Sequence, residues 1–349
     1  MIVPLVWLFV CCDDDLCLTK GRLKEHKRCL VASVWKRIVI KMGSIWRFKS
    51  INLGRELEVA GEFLFESAKR AISLDGFSSE FEINSILYNG AVGVERLQKI
   101  LLCLYCIKSQ ADFDNPLKCL KEHNHLDLYE KINEYKDCGF QKKHVSLLGV
   151  FRDYYADYRY GNYYLDKNAD VRSLLLRVFR MVNKKEDFDN PMTDYQRKPY
   201  IKFYIDLLGE IARKYFSAIR ERASLLNVYT YEIDSLSNAM RVFSSVGKKS
   251  FYEEMLMERI CLKEFLLFLY KQKQSYGVFK VMNDTEELDF DPALTNDFIH
   301  ELSKGKVDEF LIDSAEEFYN ELGAKKAKER KSIIDIIGSK DVLWDDEEY

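Results

Sequence analysis

Proline is scarce in this chain, five among 349 residues, and histidine is equally rare. Few prolines leave long stretches free to form unbroken helices. Long hydrophobic runs are missing too: no window reaches the roughly eighteen apolar residues that span a bilayer. The opening MIVPLVWLFV is apolar but short, and no positive charge precedes it as in an export signal. The sequence contains no GxxxxGK, GxSxG or HExxH and no dinucleotide fingerprint, which removes the chemistries those patterns serve. Nine cysteines occur without two CxxC pairs, so a structural zinc site is not expected, and Cys103 and Cys106 read as core packing. Reduced thiols in a reducing compartment, the cytoplasm, are the expectation, with no cofactor and no metal. A net charge of -3 excludes a uniformly basic surface and confines any polyanion site to a local patch.

What is present is helical pattern. With 47% hydrophobic residues the chain can bury a sizeable core. Leu53, Leu57, Ala60, Leu64, Ala68, Ala71 and Ile72 recur at threes and fours and predict a first helix over 53–74. LDGFSSE then supplies a turn, with Ser79 placed to cap a second helix over 81–108. Its later part, VERLQKILLCLYCI, is apolar almost all round, as in a helix central to a bundle. A third helix is predicted from Pro116 and a fourth from near Lys142. Together these predict an all-α, antiparallel bundle within 42–183. Residues 1–41 read as an extension outside the fold, with a membrane anchor as the alternative. The polar stretch KKEDFDNPMTDYQRKPY, at 184–200, reads as a linker. A second, mostly helical domain follows over 201–337, with a short strand at 276–282, and 338–349 forms an acidic tail.

The densest chemical signal lies at 151–166, FRDYYADYRYGNYYLD, with six tyrosines and two arginines in sixteen residues. Tyrosines offer flat faces with polar tips, and Arg152 and Arg159 offer permanent cations suited to phosphate or carboxylate. The same residues also suit a core or a dimer contact. Glu95, Arg96 and Lys99 share a helical face and read as a solvated stripe or a functional one. DFDNP occurs at 112–116 and again at 187–191 and reads as two helix boundaries, with Mg²⁺ binding the alternative. His123 and His125 read as helix-start residues, and His144, beside Lys142 and Lys143, as part of a solvated basic end.

Three segments give the bundle a resemblance to the HEPN superfamily (higher eukaryotes and prokaryotes nucleotide-binding domain). ERLQKILL (95–102) resembles the family's acidic-then-lysine second long helix. HNHLDLYEKI (123–132) resembles its His-x-Leu-x-x-Leu segment, through His125, Asp127 and Leu128. YYADYRYGN (154–162) resembles its tyrosine-rich run ending in Arg-Tyr. The resemblance covers about 53–170 and implies an RNA-directed effector, many of its members being dimeric, metal-independent ribonucleases of toxin-antitoxin or phage-defence modules. It implies Arg159 at the scissile phosphate, Tyr160 at a base or ribose, and Arg152, Tyr155 and His125 in substrate binding. The family follows its arginine, after four to six residues, with a histidine; here Tyr164 stands instead. A phenol titrates near 10 and is a poor base at neutral pH, so proton transfer falls either to Tyr164 as an acid or to a histidine such as His125 or His144 arriving from elsewhere. The competing expectation is a non-catalytic binding or dimerisation module.

Overall fold

The computed structural model describes residues 43–109, 111–114, 118–160, 163, 170–186, 188, 192–228, 237–244, 250–272, 277–339 and 342. The protein is all-α, and no strand occurs among the described residues. Two helices found the core, α1 (Leu53–Ile72) and α2 (Glu80–Cys106). Along α1 the residues Leu57, Ala60, Leu64, Ala68 and Ala71 are buried on one face, as their spacing requires. In α2 burial runs almost all round, from Ile83 through Leu97 to Leu104. The two are antiparallel: Ser67 donates to the Ile86 carbonyl at 2.8 Å, and further along Arg96 pairs with Glu56. Gly93 permits the close approach between these points, since a Cβ there would meet Leu64 at 2.7 Å and the Ala60 carbonyl at 3.0 Å. Ser79 occupies the N-cap of α2, yet its hydroxyl makes no cap bond.

The remaining core helices wrap this pair. They are α3 (His125–Asn133), α4 (Lys142–Asp153), α5 (Val171–Phe179), α6 (Asp194–Leu225), α7 (Asn238–Ser244) and α8 (Phe251–Lys271). The long α6 runs parallel to α2, with Tyr204 beside Gly90 and Tyr215 bonded to Gln98 at 3.0 Å. Capping boxes start α6 at Thr193 and Gln196 and α8 at Ser250 and Glu253. One apolar cluster extends from Leu53 to Met255.

That cluster passes through the stretch predicted as a linker. Phe188 and Tyr200 are buried there, with ring centroids 5.1 Å apart, packed on Phe77 and Phe179. These two aromatic residues tie the polar segment to the interior, while Lys184, Lys185 and Tyr195 of the same stretch are exposed. The single helix predicted from Pro116, which itself lies outside the described residues, is two pieces: Lys118–Lys121 and α3. Asn124 divides them, its side chain accepting from the Leu126 amide at 3.0 Å, a local bond that competes with helix continuation. Asp112 of the first DFDNP accepts from the Lys108 and Ser109 amides at 2.7 and 2.6 Å, a backbone-tying role; most of the second copy lies outside the described residues.

The strand predicted at 276–282 is instead α9 (Gly277–Asp284). A short alternating run pairs as a strand only if a partner strand exists, and none is present among the described residues. There follow α10 (Thr295–Ser303), α11 (Glu309–Leu322) and α12 (Ala324–Ile334). Of these last four helices only α10 contains a buried residue, Phe298. Lys304, just past α10, pins this region to the α1–α2 turn through Asp75, and also bonds Glu301 of α10 at 2.7 Å. The extension at 1–41 lies wholly outside the described residues, and so does most of the acidic tail. No helix among the described residues is long and apolar enough to cross a membrane.

Candidate functional site

Two wide, π-helical turns rim the same groove. One, Phe48–Asn52, leads into α1; the other, Tyr154–Tyr158, continues α4, with the Arg159 amide bonded to the Tyr154 carbonyl at 2.8 Å. Such turns carry one residue more than an α-turn and recur at functional sites. Between them lies a space of about 790 Å³, lined by the start of α1, the middle of α2, His123, Tyr155 and Arg159.

The Arg159 guanidinium is held by aromatic faces. Its central carbon lies 5.5, 5.1 and 5.0 Å from the ring centroids of Tyr88, Tyr155 and Tyr160. Stacking of this kind fixes a guanidinium while leaving its in-plane N–H donors uncommitted. No ion pair among the described residues includes Arg159, which keeps its charge available to the groove.

Glu95 is the centre of the opposite wall. It is buried, a position that requires compensating donors. Lys99 supplies one at 2.6 Å and His123 Nδ1 another at 3.1 Å, both to Oε1. The Tyr155 phenol lies near enough to feel this carboxylate's charge. Burial alone would push the Glu95 carboxyl up, but the Lys99 bond and the nearby positive charges bring it below the ordinary range. Glu95 is therefore ionised at neutral pH. Burial, with the Glu95 charge, pushes the Tyr155 phenol far up, so Tyr155 stays a neutral donor. Arg96, one position on, pairs with Glu56 and lies over the Phe63 ring.

The predicted site residues divide accordingly. Tyr155 and Arg159 line the groove, and Tyr160 stacks under Arg159 with its ring exposed. His125 does not reach it: the ring is fully buried behind Tyr155, with Nδ1 3.1 Å from Gln98 Oε1 and Nε2 without a partner. Burial lowers its pKa to about 4, so it is a neutral wall residue. Arg152 lies off the groove and binds its neighbour Asp153 at 2.6 Å, which Arg177 also holds. Tyr164 lies outside the described residues. Of the other tyrosines, Tyr154 is core, donating to Asn84 at 2.8 Å, while Tyr163 projects outward.

His144 corrects an expectation. Its side chain is 1% exposed rather than solvated, with Nε2 2.7 Å from Glu210 Oε2 and Nδ1 accepting from the Gln141 amide at 2.8 Å. Glu210, 66 residues away, comes from α6, a partner that local spacing cannot announce. The Glu95–His123 pair was equally hidden. Its one sequence signal is an acid embedded in an apolar helix, which implies a partner without naming it.

Asp75, His300 and Glu301 have ligand atoms close enough to share a metal ion. The Lys304 ammonium already bonds both carboxylates, so their charge is met without one. No family model, curated protein or solved structure matches this chain.

Proposed function

We propose that the groove takes the phosphate backbone of RNA and that the chain is a HEPN-like, RNA-directed effector, cleaving RNA without divalent metal. The observation that carries this reading is the Arg159 guanidinium, stacked by three tyrosines, facing the groove, and outside every ion pair of the described residues. A further support is convergence: the three segments that resemble the family supply Glu95 and Lys99, His123, and Tyr155 and Arg159 to one space. Arg159 would hold the scissile phosphate and Tyr160 a base or ribose. In keeping with the resemblance, the protein would act as a homodimer, with a partner protein, in a bacterial defence or toxin-antitoxin module.

Mixed RNA incubated with the purified protein in EDTA is expected to be cleaved, and Arg159→Ala is expected to abolish the cleavage with an unchanged helical circular dichroism spectrum. A charge-assisted bond to phosphate contributes about 1.5–3 kcal/mol, so RNA affinity should fall about 10- to 100-fold. Intact RNA and undetectable binding by the native protein would refute the reading. A second reading, a non-catalytic assembly module, is favoured by exposed apolar side chains on α8, Phe265, Leu267 and Tyr270. Under it the protein would be an oligomer by light scattering and leave RNA intact.

A further inference from the structure

The segment that carries Arg159, 151–166, contains no histidine, yet the groove does. We infer that His123, oriented by Glu95, is the proton-accepting residue of the reaction, an assignment that rests on the RNA-cleaving reading of the groove. Among the described histidines it alone fits. His125 is sealed behind Tyr155, and His144 has both ring nitrogens bonded. His300 lies beside Asp75, past the far end of α1, about 30 Å along that helix from the groove.

His123 lines the groove with its side chain 59% exposed. Its ring lies 5.9 Å from Tyr155, nearly parallel at 13°, and Arg159 touches that same tyrosine ring at 5.1 Å. Glu95 is an ionised acceptor, so the hydrogen between it and Nδ1 belongs to the imidazole. In the neutral ring this fixes Nε2 as the bare nitrogen, and Nε2 has no hydrogen bond among the described residues. Glu95 itself is fastened by Lys99 at 2.6 Å. The assembly is a buried carboxylate, an imidazole held in one tautomer, and an open nitrogen on the groove that Arg159 faces.

Nε2 takes the proton of a ribose 2′-hydroxyl, and that oxygen bonds to the adjacent phosphorus, whose non-bridging oxygens lie against Arg159. The phosphorus–5′-oxygen bond breaks, and the 5′-oxygen takes a proton from water. The hydroxide so formed removes the proton from the imidazolium, leaving a 2′,3′-cyclic phosphate and a 5′-hydroxyl. Glu95 is a positioning residue that acts through His123.

The test uses a labelled single-stranded RNA in EDTA, with binding followed by anisotropy and cleavage by gel. His123→Ala is expected to bind RNA within about twofold of the native protein and to cleave at least about 100-fold more slowly, the usual worth of a general base. Added imidazole should restore part of the rate, which no structural role would produce. Glu95→Gln should lower kcat with KM unchanged. If His123→Ala cleaves at the native rate while Arg159→Ala does not, the assignment is overturned and the RNA reading stands. Loss of cleavage that imidazole fails to restore also overturns it. If the native protein neither binds nor cleaves, the RNA reading falls and takes the assignment with it.

Discussion

Acidifying this protein should weaken it well above the pH at which its carboxylates titrate, and His125 is the reason. Its ring is fully buried between Phe151 and Tyr155. Nδ1 must donate to Gln98 Oε1, because Gln98 spends its own N–H donors on the His125 carbonyl and on Tyr215. Nε2 then faces apolar surroundings without a partner, and adding a proton there puts an unsatisfied charge in the core. Burial accordingly lowers the pKa from 6.5 to about 4. The unfolded chain binds this proton first as pH falls, so stability is full above pH 6.5 and is lost progressively down to pH 4. The whole shift is worth about 3 kcal/mol, of which about 2 kcal/mol is lost by pH 5. His144, also held low by burial, adds loss of the same sign. The assay is therefore a comparison: urea unfolding at steps from pH 7.5 to 5, for the native protein and His125→Asn, which retains a donor for Gln98 but does not titrate. The native curve should fall about 2 kcal/mol more steeply. Parallel curves would show that His125 does not govern the loss of stability in acid.

Arg159→Lys keeps the charge but loses the planar face stacked on Tyr88, Tyr155 and Tyr160; RNA affinity should fall about tenfold by anisotropy, with thermal stability unchanged. Gly61→Ala should cost about 2–3 kcal/mol in urea unfolding, because its Cβ would overlap Ala239 and crowd Phe243 at 3.3 Å, prising α7 from α1. Adding Ala239→Gly should return part of that loss. Lys304→Met should cost about 1 kcal/mol, since Asp75 is half exposed and partly solvated when unpaired, and hydrogen exchange in α10 should quicken while that in α2 does not.

The two founding helices were legible in the sequence because their buried residues sit at regular spacing, Leu57 to Ala71 in α1 and Ile83 to Leu104 in α2. The same holds for α6 and α8, each announced by a long amphipathic run. What spacing cannot show is which distant residue will answer a local one. His144 looked like part of a basic surface until Glu210 arrived from α6, and the polar stretch before α6 concealed Phe188 and Tyr200. At the candidate site, the arginine among tyrosines was visible as composition. The carboxylate and imidazole were not, for Glu95 and His123 are 28 residues apart and meet only when the turn before α3 packs on α2. Arg152 shows the reverse error: a cation in the right stretch whose charge is met by the neighbouring Asp153.

The widened turn at Tyr154–Tyr158 makes the arginine's address a matter of counting. Delete one residue there and the coil tightens to ordinary pitch, swinging everything downstream by about 100° around the axis. Tyr155 would keep its place while Arg159 turned away from it, so a protein with every side chain of the groove intact could still lose its cation through a single codon.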